Sequence, residues 1–225
     1  MRTFLKLVFS FTLFGLVITA CEAPKNEMNS GDTANEQSSA EKSISDAVFN
    51  ANLATESDLS SIGISAEMIT QIMENRPFLS MNAFDAIMGD DMDKEELYRK
   101  IFVPMNLNTT EEADFKMIPG VGDRMAHEFE EYRPYSSILQ FRREIGKYVD
   151  EEEVARYENY VFVPVELNTA SEEDIKALPG VGDRMAHEFV EYRPYTSMEQ
   201  FRKEIGKYVD DKELARLERF VYLED

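Results

Sequence analysis

The sequence predicts an all-α fold: three tandem copies of a small four- or five-helix unit, placed after a disordered tether. Three observations lead there. From Leu107 onward the chain repeats with a period of 60 residues, so that Leu107 returns as Leu167. Capping residues and Pro-Gly or Arg-Pro breaks punctuate each copy at the same places. Between the breaks, apolar residues recur at helical spacing, as in Val121, Met125, Phe129 and Tyr132. A hydrophobic share of 43% beside 30% charged residues suits a globular chain.

The first segment reads as an address. Arg2 and Lys6 give Met1 to Ala20 a positive start, and Leu7 to Ala20 is uncharged and mainly apolar. Such a run is short of the ~20 residues that span a bilayer, and it fits the core of a signal peptide over residues 1–20. It ends in Val17-Ile18-Thr19-Ala20-Cys21, which resembles a bacterial lipoprotein signal. The resemblance implies that Cys21, the single cysteine, becomes a lipid-bearing N-terminus. The protein would then be exported and held at a membrane of the bacterial cell envelope by that lipid. The alternative is plain cleavage after Ala20, which leaves a free thiol. Residues 22–46 are rich in Asn, Ser, Glu and Thr, with hardly an aliphatic residue, and read as a flexible linker.

The repeated units occupy residues 104–163 and 164–225. LNTTEEADFKMIPGVGDRMAHEFEEYRPYSS returns as LNTASEEDIKALPGVGDRMAHEFVEYRPYTS. A divergent copy over 47–103 aligns once one residue is dropped at Pro119. Asp58, Gly63, Met68, Arg76-Pro77, Phe84 and Gly89 then match Asp114, Gly120, Met125, Arg133-Pro134, Phe141 and Gly146. In each later unit Thr109 with Glu112, or Thr169 with Glu172, has capping-box spacing at a first helix. That helix ends at Pro119-Gly120 or Pro179-Gly180. Asp123 or Asp183 caps a second helix, which Arg133-Pro134 stops. A third helix carries Ile138, Phe141 and Ile145. A fourth, after Asp150, carries Val154, Tyr157 and Val161.

Asp114 to Phe129 and Asp174 to Phe189 resemble a helix-hairpin-helix motif: a short helix, Pro-Gly-Val-Gly, then a second helix. With the preceding Leu-Asn-Thr and the following Tyr-Arg-Pro, each unit is similar to the ComEA-type helix-hairpin-helix domain of competence DNA receptors, a small SAM-like fold. The resemblance implies sequence-independent contact with the DNA backbone. The chemistry of the turn points the same way. Gly120 and Gly122 are expected at positive φ with bare amides, and the loop opens onto a helix N-terminus, which favours an anion. The candidate phosphate-binding residues are therefore Gly120, Val121, Gly122 and Arg124, with Gly180, Val181, Gly182 and Arg184.

Other features pull against DNA. There are 44 acidic and 24 basic side chains, a net charge of −20, spread evenly over the units. Asp123 and Asp183 are placed to satisfy the very amides a phosphate would use. The first unit reads Gly63-Ile64-Ser65 and is expected to keep the fold and lose the anion site. The later hairpin of each unit, Gly146 to Asp150 and Gly206 to Asp210, lacks the Gly-x-Gly turn. Arg142, Arg143 and Lys147, with Arg202, Lys203 and Lys207, offer a small basic edge on the third helix. A scaffold that binds envelope proteins through the same surfaces is the alternative function.

Several chemistries are excluded. One cysteine rules out a disulfide framework or CxxC metal site. His127 and His187 have no further ligands at metal spacing. A calcium loop from Asp91 fails at Glu96 and Phe102, where Gly and Glu are required. Tyr132, Tyr135, Tyr192 and Tyr195 read as core residues. With no nucleophile–base arrangement, the chain is expected to be no enzyme and to need no cofactor, metal or small-molecule substrate.

Overall fold

Short helices with a capping side chain at one end and a break at the other need tertiary partners to persist. Here they find them within each repeat. The computed structural model describes residues 48–89 and 92–224. The signal peptide, Cys21, the linker and Asp90-Asp91 of the acidic stretch lie outside the described residues.

Repeat one contains β1 (Phe49–Asn50), α1 (Glu56–Ser61), α2 (Ala66–Asn75), α3 (Met81–Met88), α4 (Lys94–Tyr98) and β2 (Ile101–Phe102). Repeat two contains β3 (Met105–Asn106), α5 (Glu112–Phe115), α6 (Asp123–Glu131), α7 (Ile138–Ile145), α8 (Glu151–Tyr157) and β4 (Val161–Phe162). Repeat three contains β5 (Val165–Glu166), α9 (Glu172–Lys176), α10 (Asp183–Glu191), α11 (Met198–Ile205), α12 (Asp211–Glu218) and β6 (Val221–Tyr222). The fold is mainly helical, with 12 helices among the described residues.

Strands were not expected. The first and last strands of each repeat pair in parallel: Phe49 with Ile101, Met105 with Val161, Val165 with Val221. Val161, expected on the fourth helix, therefore lies in β4. The helix ends before it because the chain must extend to meet β3.

The helix starts also differ from expectation. Thr109 and Thr169 cap nothing. The segment after β3 or β5 turns tightly instead, with the Thr110 amide on the Asn106 carbonyl and the Thr169 hydroxyl on Glu166. The caps fall two residues later. Ser171 accepts from the Asp174 amide, and Thr55 with Asp58 forms a full capping box. α5 starts after Glu111 with no side-chain cap.

Each repeat packs around aromatic rings at zero exposure. Phe129 on α6 meets Phe115, Phe141 and Tyr157 edge-on, with centroids 5.4, 5.2 and 5.2 Å away. Phe189 and Phe201 repeat this at 5.1 Å. Such edge-to-face pairs add about 0.5–1.5 kcal/mol each beyond burial. The Arg of each Arg-Pro pair does more than end a helix. Arg76 donates to the Ala51 and Ala54 carbonyls, Arg133 to Leu107 and Thr110, Arg193 to Leu167 and Ala170. Each thereby ties the second helix to the turn after the first strand. The following proline bond is cis in all three repeats.

Neighbouring repeats meet through the same aromatic step. Phe102 packs on Tyr160 at 4.9 Å, and Phe162 on Phe220 at 4.7 Å. Repeats one and two share a continuous core, while repeat three has its own and takes Phe162 into it. Arg219 links repeat three back to repeat one. It donates to the Pro104 carbonyl at 2.8 Å and the Phe78 carbonyl at 3.4 Å, between the rings of Phe162 and Phe220. Burial brings its guanidinium down to about 10. Among the described residues no helix is long and apolar enough to cross a membrane.

Candidate nucleic-acid interface

The turn between α5 and α6 is built by one glycine. Gly120 sits at φ +80° and Gly180 at φ +70°, where an L side chain is strained. The second glycine behaves otherwise than expected. Gly122 has φ −95°, ψ 178°, and Gly182 φ −86°, ψ 172°, extended geometry open to any residue. Each is the N-cap of its helix, and a glycine there supplies no capping side chain.

Val121 and Val181 point inward, only 6% and 5% exposed. Their amides donate back to the Ile118 and Leu178 carbonyls at 2.9 and 3.1 Å. Both valines shape the turn, and their amides are spent within it. The open donors lie around them. The amides of Gly120, Gly122, Asp123, Arg124 and Met125 meet no protein acceptor among the described residues, nor do those of Gly180, Gly182, Asp183, Arg184 and Met185.

Asp123 and Asp183 leave those amides alone. Each is the first residue of its helix rather than its cap, and its carboxylate turns outward to a lysine at the end of the preceding helix. Lys116 meets Asp123 at 2.9 Å and Lys176 meets Asp183 at 3.3 Å. The geometry explains the departure: a carboxylate at the cap position reaches back to the open amides, whereas one at the first helical position projects away from them.

Arg124 and Arg184 are exposed one residue further on. Neither has a carboxylate partner among the described residues, and Arg124 rests over the Tyr148 ring at 5.9 Å. The expected basic edge on the third helix is largely neutralised. Arg142 bonds Glu158 at 2.7 Å, Arg143 meets Glu144 at 2.8 Å, and Arg202 bonds Glu218 at 2.6 Å. Lys147 and Lys207 pair with Glu144 and Glu204.

Apart from α5, the remaining helix starts each carry a side-chain cap. In repeat one Gly63 keeps φ +88°, but its amide and that of Ile64 donate to Ser60 and Leu59, and Ser65 caps the Met68 amide. At the later hairpins Asp150 and Asp210 cap the amides of Glu153 and Glu213. Tyr135 and Tyr195 are buried, each with its main chain held by Asn108 or Asn168, and Tyr132 bonds Tyr148 through the hydroxyls at 2.7 Å. His127 Nδ1 lies 3.2 Å from Glu112, which raises its pKa. Among the described residues no cluster of His, Cys, Asp and Glu is arranged to hold a metal.

Sequence reasoning missed Arg156 and Arg216, which sit under the Pro-Gly turns. Their one signal was an identical place after the capping aspartate in both later repeats.

A mainly helical chain of packed helix pairs, with glycine turns opening onto uncapped helices, defines the class. Residues 161–222, from β4 to β6, match the family model of a helix-hairpin-helix motif, the type found in ComEA. No curated protein and no solved structure matches the chain.

Proposed function

We propose that this protein binds the DNA backbone without regard to sequence, through the hairpins Pro119–Arg124 and Pro179–Arg184. One observation carries the reading. Two nine-residue helices each begin with bare amides beside an unpaired arginine, in a chain whose other helix starts are mostly capped by their own side chains. Amides and a helix dipole recognise a phosphate oxygen and read no base. The helix-hairpin-helix match over residues 161–222 supports nucleic-acid binding in general. The ComEA-like role, a lipid on Cys21 and a place at the bacterial envelope complete the proposal. They rest on the resemblance of the sequence; that no reaction is catalysed is an expectation from the lack of a nucleophile–base arrangement in the sequence.

A second reading, an envelope scaffold for protein partners, is favoured by the net charge of −20 and by the ion pairs that occupy most third-helix cations. Titration of the full chain with duplex DNA at several salt concentrations separates the two. Backbone binding gives a falling log–log slope of about −0.9 per phosphate contacted. Gly122→Glu with Gly182→Glu removes it. Both positions have open space and negative φ, so the change places a carboxylate at the site without strain in the turn. Absence of binding even at low salt leaves the scaffold reading in front. For the anchor, labelled fatty acid enters the wild type and not Cys21→Ser.

A further inference from the structure

The fourth helix of repeats two and three sends an arginine beneath the hairpin of its own repeat. Arg216 is 1% exposed. Its Nη1 donates to the Pro179 carbonyl at 2.6 Å and its Nη2 to the Gly180 carbonyl at 3.3 Å. The same guanidinium is held from behind by Glu213, through Nε at 2.7 Å and Nη2 at 2.6 Å. The ring of Phe220 lies 5.3 Å below it. In repeat two Arg156 is held by Glu153 at 2.6 Å through both Nε and Nη2, above the rings of Tyr157 and Tyr160. A Cβ on Gly120 would stand 3.4 Å from Arg156 Nη2, and one on Gly180 3.4 Å from Arg216 Nη1. The Arg156 Nη1 is buried and has no acceptor.

Repeat one supplies an internal control. The arginine at the same place after the capping aspartate Asp93 is Arg99. Its helix has only 5 residues, against 7 in α8 and 8 in α12, so Arg99 falls past the end. It turns outward to Glu95 at 2.7 Å and is 47% exposed. Repeat one is also the repeat in which the glycine amide, Gly63, and the third helical amide, Met68, are bonded within the turn, whereas those of Gly120 and Met125 are open. An inward-facing arginine, fully buried in repeat three and about a quarter exposed in repeat two, therefore accompanies the hairpins with an uncapped second helix and is missing from repeat one.

We propose that Arg156 and Arg216 are the positioning residues of the two phosphate-binding hairpins. Arg216 holds the turn carbonyls inward, which leaves the neighbouring amides facing out. Each guanidinium is paired with a glutamate of its own helix, Arg216 with Glu213 and Arg156 with Glu153, so its role at the turn is to position and not to add net charge. This rests on the DNA-backbone reading, and it predicts that the outward amides lose their fixed direction when the fork is removed.

The test uses the full chain with Arg156→Gln and Arg216→Gln, together and singly, against a short duplex DNA. The double variant is expected to bind about tenfold more weakly. Its salt slope stays unchanged, because the number of phosphates contacted is the same. The backbone order parameters of Gly120 and Gly180 fall toward the flexible range, below about 0.6. Arg→Lys at both sites restores only part of the affinity, since it keeps the glutamate pairing and loses the planar fork. Wild-type binding with equal binding by the double variant and rigid glycines overturns the positioning role and leaves the DNA reading intact. If the wild type fails to bind DNA, that reading falls by itself, and the glycine order parameters still decide: a fall supports the role, no change overturns it. Should Arg216→Gln fail to fold, Arg156→Gln is read by the same two measurements.

Discussion

The hairpin of repeat one and those of repeats two and three share a backbone path and differ in where their amides go. All three turn on a glycine at positive φ, Gly63, Gly120 and Gly180. In repeat one the following residues are Ile64-Ser65, and the serine hydroxyl caps its own helix. In the later repeats Gly122 or Gly182 stands at the cap and supplies nothing. The turns thus differ at two amides: Met68 is capped by the Ser65 hydroxyl and Gly63 bonds Ser60, whereas Met125 and Gly120 have no protein acceptor among the described residues. The architecture is kept while the cap at this position changes.

That comparison can be broken at the core first. Ile72 in α2 and Phe129 in α6 are equivalent and fully buried. Phe129→Ala is expected to cost about 3–5 kcal/mol and Ile72→Ala about 2–5 kcal/mol in denaturant unfolding. A negligible cost for Ile72→Ala would mean that repeat one is not packed as its neighbours are. A smaller effect sharpens the contrast at the turn. Ser65→Ala removes the cap and lowers stability by about 1 kcal/mol, while DNA affinity stays unchanged. A change in affinity would show that the first hairpin takes part in binding.

The smallest expected effect is at His127. Glu112 holds its folded pKa above the ordinary value near 6.5. Because the folded value is the higher one, the contribution to stability is fully present below the unfolded pKa and is lost as pH rises through the folded pKa. An NMR titration should place its midpoint above the ordinary value and move it down in Glu112→Gln. An unmoved midpoint would dismiss the Glu112 contact.

Much of the fold was legible in the sequence because repeats, breaks and periodic apolar residues report on local geometry. Phe129, Phe141 and Ile145 could be placed in the core from spacing alone. What escaped was set by partners distant in sequence. The β3–β4 pairing that claims Val161 depends on residues 56 positions apart, Met105 with Val161. The cap positions misled for a subtler reason. Thr109 and Thr169 have the right spacing, but the turn after the first strand uses them first. At the hairpin, the glycine pair and the arginine after it were visible. The direction of Asp123, the spent amide of Val121 and the arginine beneath the turn required coordinates, since each depends on which way a side chain or N–H points.

The parallel pairing at the base of each repeat has one more implication. A unit whose two ends lie side by side, ~4.8 Å apart, begins and finishes at nearly the same point. The chain therefore enters and leaves each unit about one strand spacing apart, so one more copy would lengthen the array while moving the exit point of the chain little.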